Sequence, residues 1–296
     1  MSTPQPGIFA DTRSHHYALE YSAADVAPDQ VGGVIARLQA ALAGIDHVIG
    51  LGAEFYAGLA GDRLPADLKP FDGVPGPDGP TAPVTGGDLL VWVKAPGTDL
   101  TFDAARAADG VLDGPFTRTL EQPGFMYHDL RDLTGFVDGL ANPKGDDRLL
   151  HALVPDGQPG AGGAYWFTQK WVHDLESFNA LPVKEQEGVI GRTKVDSIEL
   201  EGDAMPPTSH VARTDVKVDG VAQKIWRRSF PFGGMDEHGL YFQAFACHPG
   251  RIDIQLQRMF GVSGDGLHDR LVEFSKPVTG AYWFAPSLGD LAALAG

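Results

Sequence analysis

Three short stretches of the chain combine polar side chains with glycine, proline and aromatic residues in a way that could do chemistry. The first, TGFVDGLANP at residues 134–143, holds Asp138 beside a glycine and close to Phe136, with Asn142 four residues on. Glycine lets backbone approach a flat ligand closely, and a carboxyl fixed there can act as an acid or a base. The second, MPPTSHVART at residues 205–214, presents His210 after two prolines that fix the approach of the chain. The third, KIWRRSFPFG at residues 224–233, sets Arg227, Arg228 and Ser229 inside an apolar run. A buried arginine there is costly unless it meets an anion or a polar ligand. Taken alone, each stretch also has a plain structural reading. Asp138-Gly139 suits a turn between elements, His210 suits a packed or surface histidine, and the arginines suit a strand end facing water.

Other chemistries lack their signatures. Ten histidines invite a metal site, yet there is no HExxH and no histidine pair with a carboxylate at helical spacing. Cys247 is the single cysteine, so neither an internal disulfide nor a cysteine-rich zinc or iron–sulfur site can form. No GxxxxGK[ST], no GxGxxG after a strand and no GxSxG occurs, which leaves nucleotide-dependent and esterase chemistry without local support. The chain has 296 residues, with 39 acidic against 23 basic side chains and a net charge of −16. A field of that sign repels phosphate, so nucleic acid and anionic membrane surfaces are not expected partners. With 43% hydrophobic and 21% charged residues the chain reads as globular and long enough for two domains. The start lacks the basic, apolar pattern of a secretory signal, and no run approaches the roughly 20 apolar residues of a membrane helix, so the expected location is cytoplasmic.

The elements that must position these residues follow from periodicity. Residues 15–21, 47–55, 89–96, 164–172 and 239–248 read as strands. Residues 31–42 (VGGVIARLQAAL) repeat apolar positions at three- and four-residue steps and read as a helix. Helical starts also lie at 102–108, 184–194 and 252–260, and the proline- and glycine-rich residues 64–87 read as a loop. The segments from Leu89 and from Leu240 can be laid over each other, each turning from strand to helix at a Pro-Gly pair, Pro96-Gly97 and Pro249-Gly250. The pairs lie about half the chain apart. This predicts an internal repeat of a strand–helix–strand, strand–helix–strand unit, with GQPGAGG at residues 157–163 as a flexible break between the copies.

Together the three stretches resemble the dye-decolourising peroxidase family, specifically its bacterial B-type members. The GxxDG signature stands at Gly135-Phe136-Val137-Asp138-Gly139, the haem-ligand histidine segment at His210, and the distal arginine segment at residues 226–233. A further segment, IGRTKVDSIEL, matches at residues 190–200, and the resemblance covers residues 9–275 in the family's order. It implies an α+β fold of two tandem ferredoxin-like domains of the dimeric α+β barrel type, with helices packed on antiparallel sheets. The division would be residues 1–145 and a haem-binding 146–296.

The resemblance also implies one haem b per chain, with His210 as its axial ligand and metal-binding residue. Asp269 in HDRLVEFS would accept a hydrogen bond from the other ring nitrogen of His210, although a plain helix-start carboxylate is its alternative. Asp138 and Arg227 would flank the open iron face, and Ser229 stands where many B-type members carry asparagine and some carry serine. Arg192 would pair with a haem propionate, and Asn142 would line the haem edge. The implied function is peroxidase action: hydrogen peroxide is reduced through an oxoferryl intermediate, and dyes, phenolics or other organic one-electron donors are oxidised. The alternative is a haem-handling, deferrochelatase-like protein. A homo-oligomer is expected. Packing into an encapsulin compartment is not, since SLGDLAALAG lacks the basic, glycine- and isoleucine-rich tail that would direct it. Trp92, Trp166, Trp171, Trp226 and Trp283 all sit in apolar strand patterns and read as core rather than as surface redox sites.

Overall fold

The structure is a computed structural model that describes residues 2–11, 14–76 and 81–295. The first half runs β1 (His15–Ala23), α1 (Pro28–Ala41), β2 (Asp46–Gly52), α2 (Ala53–Ala60), β3 (Leu89–Ala95), α3 (Thr98–Leu112) and β4 (Phe116–Phe125). Helix α1 starts three residues before the expected 31–42 span, because Pro28 fits the first turn and the Gln30 side chain accepts from the Ala27 N–H. Val31, Val34, Ile35 and Leu38 form its buried face. The strand expected over 47–55 ends at Gly52, where pairing with its neighbouring strands runs out, and AEFYAGLA continues as α2. Residues 64–76 and 81–87 are irregular, as expected, apart from a bridge between Val74 and Ala82.

The second half runs α4 (Asp147–Ala152), β5 (Ala164–His173), α5 (Leu175–Ala180), α6 (Val183–Ile190), α7 (His210–Thr214) and a small hairpin, β6 (Lys217–Val218) with β7 (Val221–Ala222). It continues with β8 (Trp226–Arg227), β9 (Phe230–Gly233), β10 (His238–Ala246), α8 (Gly250–Met259), β11 (Ser275–Pro277), β12 (Ala281–Ala285) and α9 (Leu288–Ala295).

The main sheet has the order β4-β1-β3-β2-β12-β5-β10-β8, antiparallel throughout. Its first four strands follow the fourth-first-third-second order of a ferredoxin-like unit, and its last four repeat that order. The two Pro-Gly pairs occupy matching places, each leading from the third strand of its half into the following helix. The repeat inferred from sequence is therefore present, and β2 pairs with β12 to join the halves into one sheet. Where the ends of the sheet approach, Gly124 of β4 meets the Phe230 ring of β9, but no ladder joins them among the described residues, so the sheet stays open. Residues 157–163 form a packed turn rather than a loose break, with Gly162 donating to the Val154 carbonyl and Val154 donating to Gly163.

Period-two alternation sorts the strand residues into layers. Leu19, Ile49, Leu51, Val91 and Val93 pack beneath α1 and α3. On the opposite face Ala18, Leu90 and Trp92 meet Trp166, Trp283, Tyr241 and Phe245, so the two halves share one aromatic core. The outer face of β5 and β10 carries Phe167, Trp171 and Ala244 against Ile252 and Leu256 of α8. No described helix is long and apolar enough to cross a membrane.

Candidate active site

That outer face of the second half opens into a cavity of about 420 Å³. Gln169, Trp171 and His173 reach it from alternate positions of β5, and Leu240 and Phe242 from alternate positions of β10. Ile252, Leu256 and Met259 of α8 and Val211 beside His210 give it apolar walls. Residues 132–141 close one side, bringing Asp138 to it. Gln169 is fully buried there, and neither amide atom has a partner among the described residues, which suits a site built around a ligand.

His210 is the first residue of α7, whose start is capped by Ser209 Oγ accepting from the Ala212 N–H. Its Nδ1 lies 2.7 Å from Oδ2 of Asp269, a residue with no solvent exposure. The other carboxyl oxygen of Asp269 accepts from the Leu271 N–H at 2.9 Å, so both alternatives weighed for this residue are present at once: it starts a helical turn and it holds the imidazole. Nε2 of His210 has no hydrogen-bond partner among the described residues, and His210 lines the cavity.

Asp138 and Arg227 face the same cavity with Nη1 3.8 Å from Oδ1. Oδ1 of Asp138 also accepts from the Gly139 N–H at 2.7 Å. Behind this pair a second, small cavity of about 50 Å³ is lined by Asp138, Arg227, Asn142 and Ser229. The Ser229 hydroxyl is buried without a partner. Asn142 lines the small cavity and not the one that His210 lines. Its amide nitrogen donates to the Arg227 carbonyl, and its oxygen accepts from the Arg227 N–H, both at 2.9 Å. The amide expected at the ligand's edge is thus spent on holding the backbone of the arginine.

Arg192 follows Gly191, which ends α6 in the left-handed conformation at φ 94°, a geometry glycine adopts without a Cβ clash. Its guanidinium donates to the Ser197 carbonyl and pairs with Glu199, and both charged residues line the cavity. Sequence reasoning missed Glu199 and also a group on the opposite wall. There the Asp132 carboxylate accepts from Thr134 and from His173 Nε2 at 3.0 Å, while His173 Nδ1 lies 2.7 Å from Ser275 Oγ. Burial alone would raise the Asp132 carboxyl, but the His173 charge and the hydrogen bonds from His173 and Thr134 hold it below the usual carboxylate value. The available signals were weak: Asp132 stands six residues before Asp138, and His173 shares the period-two face of Trp171.

An α+β fold of two ferredoxin-like units with a ligand-sized cavity against the second, walled by an acceptor-fixed histidine and an aspartate–arginine pair, is the architecture of a haem-peroxidase class. Family models described as "Dyp-type peroxidase, N-terminal" and "Dyp-type peroxidase, C-terminal" match residues 14–126 and 129–290, and the chain belongs to this family. A dye-decolorizing peroxidase of Rhodococcus erythropolis is 38% identical over 248 residues, which is 82% of this chain and 72% of that protein. The solved structure of DyPB from Rhodococcus jostii is similar at a TM-score of 0.91 and 37% identity, over 98% of each chain. A variant of that protein has been solved in complex with heme, at a TM-score of 0.91 and 36% identity over 98% of each chain. A deferrochelatase of Escherichia coli is a more distant relative, 25% identical over 274 residues, 79% of this chain and 62% of that protein.

Proposed function

We propose that this haem peroxidase holds its cofactor through His210 and handles hydrogen peroxide with Asp138 and Arg227. The observation that carries this is the state of His210: Nδ1 is fixed on a buried carboxylate while Nε2 is left without a partner at the cavity wall. A metal-ligating histidine is oriented in this way. The apolar walls of the cavity, and the Gln169 amide and Ser229 hydroxyl that find no partner among the described residues, fit the same group. Bound haem supplies the iron that takes up peroxide and the oxidising equivalents then passed to organic one-electron donors.

The chain's own groups move the protons and steady the charge. Asp138 keeps Oδ1 on the Gly139 N–H, and its other carboxyl oxygen would take a proton from peroxide and return it as the oxygen–oxygen bond breaks. The Arg227 guanidinium stabilises negative charge on the departing oxygen. Asn142 fixes Arg227 through two backbone bonds, and the Ser229 hydroxyl is available to hold water in the small cavity behind the pair. Arg192 would turn from Glu199 to a haem propionate on the rim. Haem handling alone requires His210 and the rim contacts but no proton shuttle, so the presence of Asp138 and Arg227 on one wall favours the peroxidase.

The test is spectroscopic. The purified protein should show a Soret band that changes promptly with about one equivalent of hydrogen peroxide. A Soret band indifferent to peroxide would point to the carrier instead.

A further inference from the structure

Asp138 sits on a hairpin whose backbone is closed by three bonds: the Asp138 N–H to the Leu130 carbonyl, the Asp132 N–H to Phe136 and the Gly135 N–H to Asp132. Besides Asp138, which meets Arg227, and Phe136, which packs on Phe178, the side chains of Arg131 and Asp132 tie this hairpin to the rest of the molecule by hydrogen bonds. Arg131 donates to the carbonyls of Gly135 and Lys194, each at 2.7 Å, and so links the hairpin to the loop after α6. Asp132 links it to the sheet. Its carboxylate holds the Thr134 amide and hydroxyl with one oxygen and His173, the last residue of β5, with the other. His173 is anchored in turn by Ser275 of β11, to which it is paired in register.

The order serine, histidine, aspartate is that of a hydrolase triad, but here Nδ1 rather than Nε2 faces the serine, and Ser275 is only 3% exposed within a paired strand. The line therefore reads outward from the sheet, through the imidazole, to the hairpin. A hydroxyl both donates and accepts, so Ser275 keeps its bond to His173 whether Nδ1 carries a proton or not. The brace is satisfied at every joint.

We propose that His173, acting through Asp132, is a positioning residue that sets the hairpin bearing Asp138 against the peroxide side of the cavity. The proposal rests on the peroxidase reading of Asp138. A displacement of about 1 Å in a reacting group can cost about 100-fold in rate, and the Asp132–His173 bond ties the hairpin to the end of β5.

The experiment uses the haem-loaded enzyme and the variants His173→Phe, His173→Gln and Asp138→Ala, with two readouts. Amide hydrogen exchange across residues 130–139 reports the hairpin directly, and stopped-flow mixing with hydrogen peroxide reports the reaction. His173→Phe should speed exchange in the hairpin and lower the bimolecular peroxide rate by about 100-fold, with haem content unchanged. His173→Gln retains an N–H for Asp132 and should recover part of both. In an Asp138→Ala background, His173→Phe should cost nothing further, because both changes act on one group. Unchanged exchange in His173→Phe overturns the proposal, as does a full additional loss in the double variant. Faster exchange with a wild-type peroxide rate also overturns it, provided Asp138→Ala alone is slow. Should Asp138→Ala itself be inert, the role assigned to Asp138 has failed and this proposal falls with it. If His173→Phe does not retain haem, Asp132→Asn, which keeps the shape and removes the charge, carries the same comparison.

Discussion

His210 has its two ring nitrogens committed in opposite directions, one to a carboxylate without solvent exposure and the other to the cavity. His210→Ala should leave haem weakly held or lost, read as the ratio of Soret to protein absorbance after purification. Full haem with an unchanged spectrum would show that another group binds the iron. Asp138 and Arg227 do different work on peroxide: the carboxylate moves a proton and the guanidinium steadies developing charge. Asp138→Ala should lower the bimolecular rate of the peroxide reaction by about 100-fold or more, and Arg227→Leu should lower it as well. Stopped-flow mixing with hydrogen peroxide measures both. If Asp138→Ala keeps the wild-type rate, the aspartate is a bystander.

Helix α7 has five residues, too few to hold together alone, yet it must present His210 accurately. Its stability comes from outside. Arg258 of α8 donates to the carbonyls of Ala212 and Arg213, each at 3.1 Å, and covers the end of the helix. Arg213, only 1% exposed, donates to the Arg258 and Leu267 carbonyls, to Ser263 Oγ and to both oxygens of Asp265. The Arg213 hydrogen bonds hold the Asp265 carboxyl well below the usual carboxylate range. The same segment carries Asp269, so one clamp sets both partners of the His210–Asp269 bond. Arg213→Met removes the donor to two part-buried carbonyls, while Asp265 keeps Ser263 Oγ and the Leu267 N–H, and should cost about 2 kcal/mol. Urea midpoints together with the rate of haem transfer to an apo-globin acceptor check this; a variant matching wild type in both would show the clamp to be dispensable.

Across the whole molecule, the two halves meet through Glu20 of β1 and Tyr241 of β10, whose hydroxyl donates to the carboxylate at 2.7 Å inside the shared aromatic core. Burial pushes the Glu20 carboxyl up from 4.5 to about 7, with the Tyr241 bond opposing. A raised carboxyl favours folding while it is protonated. That contribution is fully present below the unfolded value of 4.5 and is lost as pH rises through about 7. Glu20→Gln keeps an acceptor for Tyr241 and removes the titration. Above pH 7 it should be more stable than wild type by up to about 3 kcal/mol, with the gap closing near pH 4.5. Urea unfolding at both ends of this range tests it, and a constant gap would place the effect elsewhere.

The sequence by itself determined what depends on residue type and local spacing. Period-two strands, the helix over 31–42, the paired Pro-Gly turns of the repeat and the motifs around Asp138, His210 and Arg227 are all written within short windows, where backbone sterics and burial act on neighbours. Tertiary structure decided what depends on partners far along the chain. Asn142 and Arg227, 85 residues apart, are joined by backbone bonds that no motif announces. His173 and Asp132, 41 residues apart, meet only because β5 ends where the hairpin folds back. The strand expected over 47–55 gave way to α2 once pairing along β2 ended at Gly52. Likewise β8 has two residues, too few for periodicity to mark, and exists because β10 offers an edge on which Arg227 is held toward the cavity. Local chemistry names the groups; their geometry is fixed by hydrogen bonds and packing that form only when distant segments are brought together.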